Sequence, residues 1–143
     1  MTSQNKKKEE ELIKLFDKAP IKKTFGMTFH YDQGSAIFEL PYNPGLDHAL
    51  GGTHGGVIAT LLDNAGWFTV ALYYDTWIAT SEFQTRLLEP VTKETLISRG
   101  WIIRQGKTLS VAGMEVKTSS GKLIATGTGS FVVTSVPYNI FQS

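Results

Sequence analysis

The run from Gly55 to Tyr74 constrains this chain most, because nearly every residue in it is apolar and yet a carboxylate, Asp63, stands near its middle. Its length approaches a membrane span of roughly 20 residues. Asp63-Asn64 at the centre and the strand-like sequence on either side argue instead for a buried helix, since a carboxylate inside a bilayer is costly. A helix apolar on nearly every side has to be wrapped by other elements.

Four runs can supply the wrapping: Trp77 to Leu88, Glu94 to Arg104, Thr108 to Thr118 and Lys122 to Thr134. Turns at Glu89-Pro90, Gln105-Gly106-Lys107 and Ser119-Ser120-Gly121 separate them, and this spacing suits successive antiparallel hairpins. In the last run Ala125, Gly127 and Gly129 share one face. Small residues there either let a helix backbone lie close against the sheet or mark bulges.

Upstream, Phe25, Met27, Phe29 and Tyr31 alternate with smaller or polar residues, as do Ala36, Phe38 and Leu40 after Asp32-Gln33-Gly34, the pattern of a hairpin. Residues 5 to 19 predict a short amphipathic helix that stops before Pro20 and serves as a lid or flank. Lys6-Lys7-Lys8, answered at once by Glu9-Glu10-Glu11, fits a solvated helix face. The expected organisation is a helical flank over 1–20, one domain over 21–136 and a tail over 137–143.

With 143 residues, 41% apolar and 19% charged, the chain suits one domain with a sizeable core. A formal net charge of +1 gives no field that would recruit nucleic acid or an anionic membrane surface. Cysteine is absent, which rules out disulfides, thiolate metal sites and a cysteine nucleophile. No apolar stretch follows the N-terminal lysines, so a cytoplasmic location is expected.

The segment Thr53-His54-Gly55-Gly56-Val57 lies where loop gives way to helix, with Thr53 as expected N-cap. Unspent amides in a first turn can receive developing negative charge, and glycine lets a substrate reach them; glycine also suits any tight loop. Asp63 is expensive in an apolar helix unless it is used, or is satisfied by Asn64, Thr60 or a neighbouring strand. Eight residues separate Gly55 from Asp63, ~12 Å along a helix axis, whereas reacting groups must come within roughly 3 Å. If both act on one substrate, an antiparallel helix from a two-fold partner must bring the second group, giving two equivalent sites per dimer.

These residues resemble the hotdog thioesterases of the phenylacetate-degradation (PaaI-like) type, which hydrolyse acyl- and aryl-CoA thioesters. The resemblance spans about residues 24 to 134. It rests on His54-Gly55-Gly56 with Asp63 nine residues after the histidine, on Thr80 through Pro90, on Arg104-Gln105-Gly106-Lys107-Thr108, and on Gly121 through Gly127. It implies an α+β hotdog fold, a curved antiparallel sheet wrapped around one long central helix. It further implies a homodimer with the active site at the interface, a dimer of such dimers, and no metal or cofactor beyond the CoA of the substrate.

Carried onto matching positions, the Gly55 amide polarises the thioester carbonyl, Asp63 of the partner acts as general base or nucleophile, and Thr80 orients the attacking water. Six residues before His54, relatives often carry a polar amide; here His48 stands instead, able to donate or accept a hydrogen bond or to be an unrelated loop residue. His54 fits a loop-fixing role better than acid–base work. Gly56, Arg104, Gly106, Lys107 and Thr108 border the expected CoA channel, Arg104 and Lys107 as phosphate contacts or as ordinary solvated cations. Trp67, Phe68, Trp77 and Phe83 suit an acyl pocket or simply a core. Two other readings stay open: an enoyl-thioester hydratase or dehydratase, which would need a catalytic histidine paired with an acid in another setting, and a non-catalytic acyl-CoA-binding module, against which Asp63 argues.

Overall fold

The computed structural model describes residues 3–137, so beyond Pro137 the expected tail lies outside the described residues. The chain runs α1 (Ser3–Asp17), α2 (Pro20–Phe25), β1 (Thr28–Asp32), β2 (Ser35–Leu40), a single 3-10 turn (Pro44–Leu46), α3 (Gly55–Ala71), β3 (Ile78–Leu87), β4 (Leu96–Arg104), β5 (Leu109–Thr118) and β6 (Leu123–Val133).

The first helix stops before Pro20 as expected, but Pro20 then opens a second helix, where its missing N–H costs nothing. Gly26 ends that helix in the left-handed region at φ +79°. Phe25 therefore closes α2 and the first strand begins only at Thr28, later than the alternation from Phe25 suggested. Gln33 and Gly34, both at positive φ (50° and 81°), make the tight turn between β1 and β2.

All six strands form one antiparallel sheet in the order β1-β2-β4-β5-β6-β3, with α3 against its inner face and Leu61, Leu62, Ala65 and Val70 fully buried beneath it. This is the hotdog arrangement. Hairpins join β4 to β5 and β5 to β6, but the expected hairpin from β3 into β4 does not exist: β3 pairs with β6, from Ile78↔Val133 to Leu87↔Ala125. The connecting segment instead passes the start of α3, burying Val91 and using its carbonyl to accept the Thr53 N–H at 2.9 Å. Alternation along a strand fixes which face is buried, not which strand lies beside it.

Helix and sheet touch most closely at glycines. A Cβ on Gly100 of β4 would lie 2.3 Å from the Ala65 carbonyl oxygen, and one on Gly66 would lie 2.9 Å from both Met114 Sδ and Phe131 Cζ. On β6 the space over Gly129 is filled by the Phe131 ring, while a Cβ on Gly127 would lie 2.3 Å from the Gln84 carbonyl oxygen of β3 and 3.5 Å from Leu62 Cδ1. Neither is a bulge: the register breaks instead between Thr80 and Glu82 and opposite the step from Val116 to Lys117.

The N-terminal helix is more than a flank. Leu12 and Phe16 are buried, and Phe16 meets the rings of Phe38, Phe68 and Phe29 edge-on at 5.0, 5.5 and 5.8 Å. Within the charged run, Lys8 reaches Asp75 at 3.0 Å, tying α1 to the turn after α3. Among the described residues no helix is long and apolar enough to cross a membrane.

Candidate active site

At the start of α3 the cap is His54, not Thr53. His54 is extended (φ −60°, ψ 135°), and its Nδ1 accepts the Gly56 N–H at 2.9 Å, the role that a serine or aspartate oxygen commonly fills. Thr53 is engaged earlier, in a bridge to Asp47 and through its N–H to Val91. The His54 carbonyl accepts the Val57 N–H at 2.9 Å, which leaves Gly55: its N–H meets no acceptor among the described residues. Gly55 lines a cleft of about 440 Å³ together with His48, Leu50, Ile58 and Leu87.

His48 shares that cleft because its loop turns tightly. Its N–H gives to the Gly52 carbonyl at 2.8 Å, its carbonyl accepts from Gly51, and its Nδ1 accepts the Leu50 N–H at 3.1 Å. Gly52 lets the ring lie flat, since a Cβ there would fall 2.7 Å from His48 Nε2. That Nε2 is free of protein partners among the described residues.

Asp63 stands two turns further along, half-buried on α3. Its Oδ1 accepts a hydrogen bond from Thr80 Oγ1 at 2.9 Å, so a neighbouring strand satisfies one oxygen. Thr60 and Asn64 do not help: Thr60 Oγ1 donates to the Gly56 carbonyl and Asn64 Nδ2 leans on Met27 Sδ. Burial pushes the Asp63 carboxyl above its ordinary value, and the hydrogen bond from Thr80 pulls the other way. Thr80 lies on the inner face just before the β3 bulge, a device that re-aims side chains.

Asp63 and Thr80 open onto a second cleft, of about 710 Å³, whose lining shares no residue with the first. Leu15 and Ile21 from the N-terminal helices roof it, and Trp67, Phe68 and Trp77 wall it. Phe83, grouped with these aromatics in the sequence, is elsewhere. Of the residues that border this cleft, Leu15, Ile21 and Ala79 carried no local signal; only the docking of α1 and α2 brings the first two there.

The hairpin Arg104 to Thr108 is at the far end of α3. The Tyr74 hydroxyl donates to the Gly106 carbonyl and pairs with Ser110 Oγ at 2.5 Å, tying the hairpin to the helix C-terminus. A Cβ on Gly106 would lie 2.1 Å from the Leu109 carbonyl oxygen, so the turn is close-packed. Arg104, Lys107 and Thr108 are exposed. Within one chain they are separated from Gly56 by the length of α3, 17 residues or ~25 Å. No group of three or more His, Asp or Glu among the described residues is spaced to hold a metal ion.

Comparison with known proteins adds to this geometry. The model of the Thioesterase superfamily matches residues 50–125, from the His54 loop to the start of β6. A candidate esterase of Saccharolobus solfataricus is 29% identical over 128 residues, covering 89% of this chain and 86% of that protein. Among solved structures, a Shewanella oneidensis protein related to the thioesterase superfamily superimposes with a TM-score of 0.82 at 24% identity, over 94% of this chain and 100% of that one. The E. coli PaaI protein, from the phenylacetic acid degradation operon, does so with a TM-score of 0.81 at 18% identity, over 94% and 96%.

Proposed function

Because the chain belongs to the Thioesterase superfamily, whose model spans more than half of it, we propose that it is a cytoplasmic hydrolase of acyl-CoA thioesters, working at two sites shared across a homodimer. The observation that carries the reading is the pairing of a half-buried Asp63, held by Thr80, with an unspent Gly55 amide on the same rigid helix ~12 Å away. Neither half of that equipment is of use to a thioester alone.

The edge strand β3 supports the dimer. It has β6 on one side only, and Phe83 and Leu87 on it, with Leu88 just past its end, are exposed at 37%, 52% and 46%. A ten-residue edge strand with exposed apolar side chains among its polar ones invites strand pairing with another chain. Two copies joined antiparallel along β3 would run their α3 helices in opposite directions and bring Gly55 of one beside Asp63 of the other. The hairpin with Arg104 and Lys107 would then border the partner's Gly56 loop, in reach of the CoA phosphates. A dimer of such dimers is the expected full assembly.

In the reaction, the thioester carbonyl points at the Gly55 N–H, aligned with the positive end of the α3 dipole. Thr80, its proton committed to Asp63 Oδ1, has lone pairs left to hold a water beside Asp63 Oδ2. The carboxylate takes one water proton as the hydroxyl oxygen adds to the carbonyl carbon. The tetrahedral oxyanion then collapses, the carbon–sulfur bond breaks, and the CoA sulfur leaves with the proton from Asp63, giving carboxylic acid and free CoA. A carboxyl raised by burial is better matched to this base role than a solvated one. His48 Nε2 is a further hydrogen-bond partner at the Gly55 end, and His54 positions Gly55 and Gly56 by capping.

The test is thiol release from a panel of acyl-CoA esters by the native protein and by Asp63→Asn. Turnover in the native protein and a loss of ~10²–10⁴-fold in the variant are expected; comparable rates in both would remove Asp63 from the mechanism. Enoyl hydration without thiol release, or tight acyl-CoA binding without either, would replace hydrolysis altogether.

A further inference from the structure

The cleft that holds Asp63 extends well beyond the reacting groups. Its volume of about 710 Å³ falls in the range of sites that bury whole small molecules, ~300–1,000 Å³, and is many times what a two-carbon acyl group needs. Apart from Asp63, Asn64, Thr80 and the rim residue Lys18, its lining is apolar. Asn64 stands next to the reacting carboxylate and Lys18 is exposed at the rim, so the rest of the lining offers an acyl tail only apolar and aromatic surface.

Its far wall is a pair of indoles. Trp67 is fixed, donating its Nε1 proton to the Ile78 carbonyl at 2.8 Å, and it is 8% exposed. Trp77 leans on it, ring centres 4.8 Å apart at 52°, but remains 39% exposed. The Trp77 backbone is clamped on both sides, its N–H to the Val136 carbonyl at 2.7 Å and its carbonyl accepting from the Thr134 N–H at 3.0 Å, so only the ring is free to respond. Opposite stands Leu15, on a helix anchored in the core through Leu12 and Phe16. The roof is part of the fold and does not need a partner chain.

Resting on the thioester-hydrolase reading, we infer that this cleft takes an unsubstituted apolar acyl tail of medium length, and that Trp77 in the far wall and Leu15 in the roof set how long that tail can be. The carbonyl end sits at Asp63 and Thr80, and the tail runs between α1 and the Trp67–Trp77 pair.

The experiment measures kcat/KM for thiol release from acetyl-, butanoyl-, hexanoyl-, octanoyl- and decanoyl-CoA with the native protein, Trp77→Ala and Leu15→Phe. In the native protein kcat/KM should climb about fourfold per buried methylene and then level off. Trp77→Ala should move the plateau to longer chains and Leu15→Phe to shorter ones. Ala79→Val, a smaller change on the same wall, stands in if Leu15→Phe does not fold. One chain-length profile shared by all the proteins would overturn the inference while leaving hydrolysis intact. Absence of thiol release from every ester would remove the hydrolase reading instead. The cleft is then read by quenching of tryptophan emission with octanoyl-CoA, which Leu15→Phe should weaken by about tenfold; equal quenching in the two proteins overturns the inference on its own.

Discussion

Gly55→Pro would delete the one N–H proposed to receive the oxyanion and change little else. Position 55 opens α3, where proline is well tolerated, and His54 already has the extended conformation, φ −60° and ψ 135°, that a following proline imposes. The added Cβ would meet Leu87 Cδ1 at 2.9 Å, the far end of an exposed side chain that can turn away. Loss of one oxyanion donor costs ~10²–10³ in kcat, about 2.7–4 kcal/mol, with the fold kept. Asp63→Ala is silenced separately, by loss of the base. Refolding the two variants together in equal amounts gives heterodimers in about half of all pairs, each with one doubly damaged site and one intact site. Specific activity should return to about a quarter of native in the mixture and about half in heterodimer purified through two different tags. A site contained in one chain predicts no recovery. Heterodimers captured with both tags and no more active than their parents would refute the argument from helix length.

Other outcomes follow from the same contacts. Thr80→Val removes the hydrogen bond that lowers the Asp63 carboxyl, so the acid limb of the kcat/KM profile should move to higher pH; an unmoved limb would mean that Asp63 is not the titrating base. A carboxyl raised on folding binds its proton more tightly in the native state. The stability it contributes is full below the unfolded carboxylate pKa and lost as pH rises through the folded one. Asp63→Asn should therefore gain stability relative to the native protein as pH increases through that window, which thermal melts at several pH values would show. Gly100→Ala forces a methyl to within 2.3 Å of the Ala65 carbonyl oxygen and should cost about 1–3 kcal/mol in urea unfolding. His54→Ala should lose about 1 kcal/mol through the uncapped Gly56 N–H.

The central helix was legible because its signal is local: a long apolar run bounded by a glycine pair, with one carboxylate whose cost demanded an explanation. The partner strand of Trp77 to Leu88 was not, because pairing with β6 is a contact across some fifty residues that alternation does not encode. The cap was misassigned to Thr53 since threonine is a common cap and histidine is not, yet the Thr53 backbone is spent on Val91. Asp63 could be put forward from its own cost and Thr80 from the resemblance, but their hydrogen bond joins the helix to a strand 17 residues on, and the roof over the second cleft depends on Phe16 finding Phe29, Phe38 and Phe68. Those are properties of packing, visible only once the sheet closes around the helix.

The unbroken run of α3 from Gly55 to Ala71 has a consequence for how the length of this chain can vary. A loop can gain a residue at small entropic cost, so the segment ahead of His54 is open to insertion. One residue added between Gly55 and Asp63 would turn everything after it by about 100°. Leu62 would then face Thr80, and Asp63 would stand where Asn64 leans on Met27. Variation in length is thus confined to the loops, and the interval from Gly55 to Asp63 can change only by residue type, never by count.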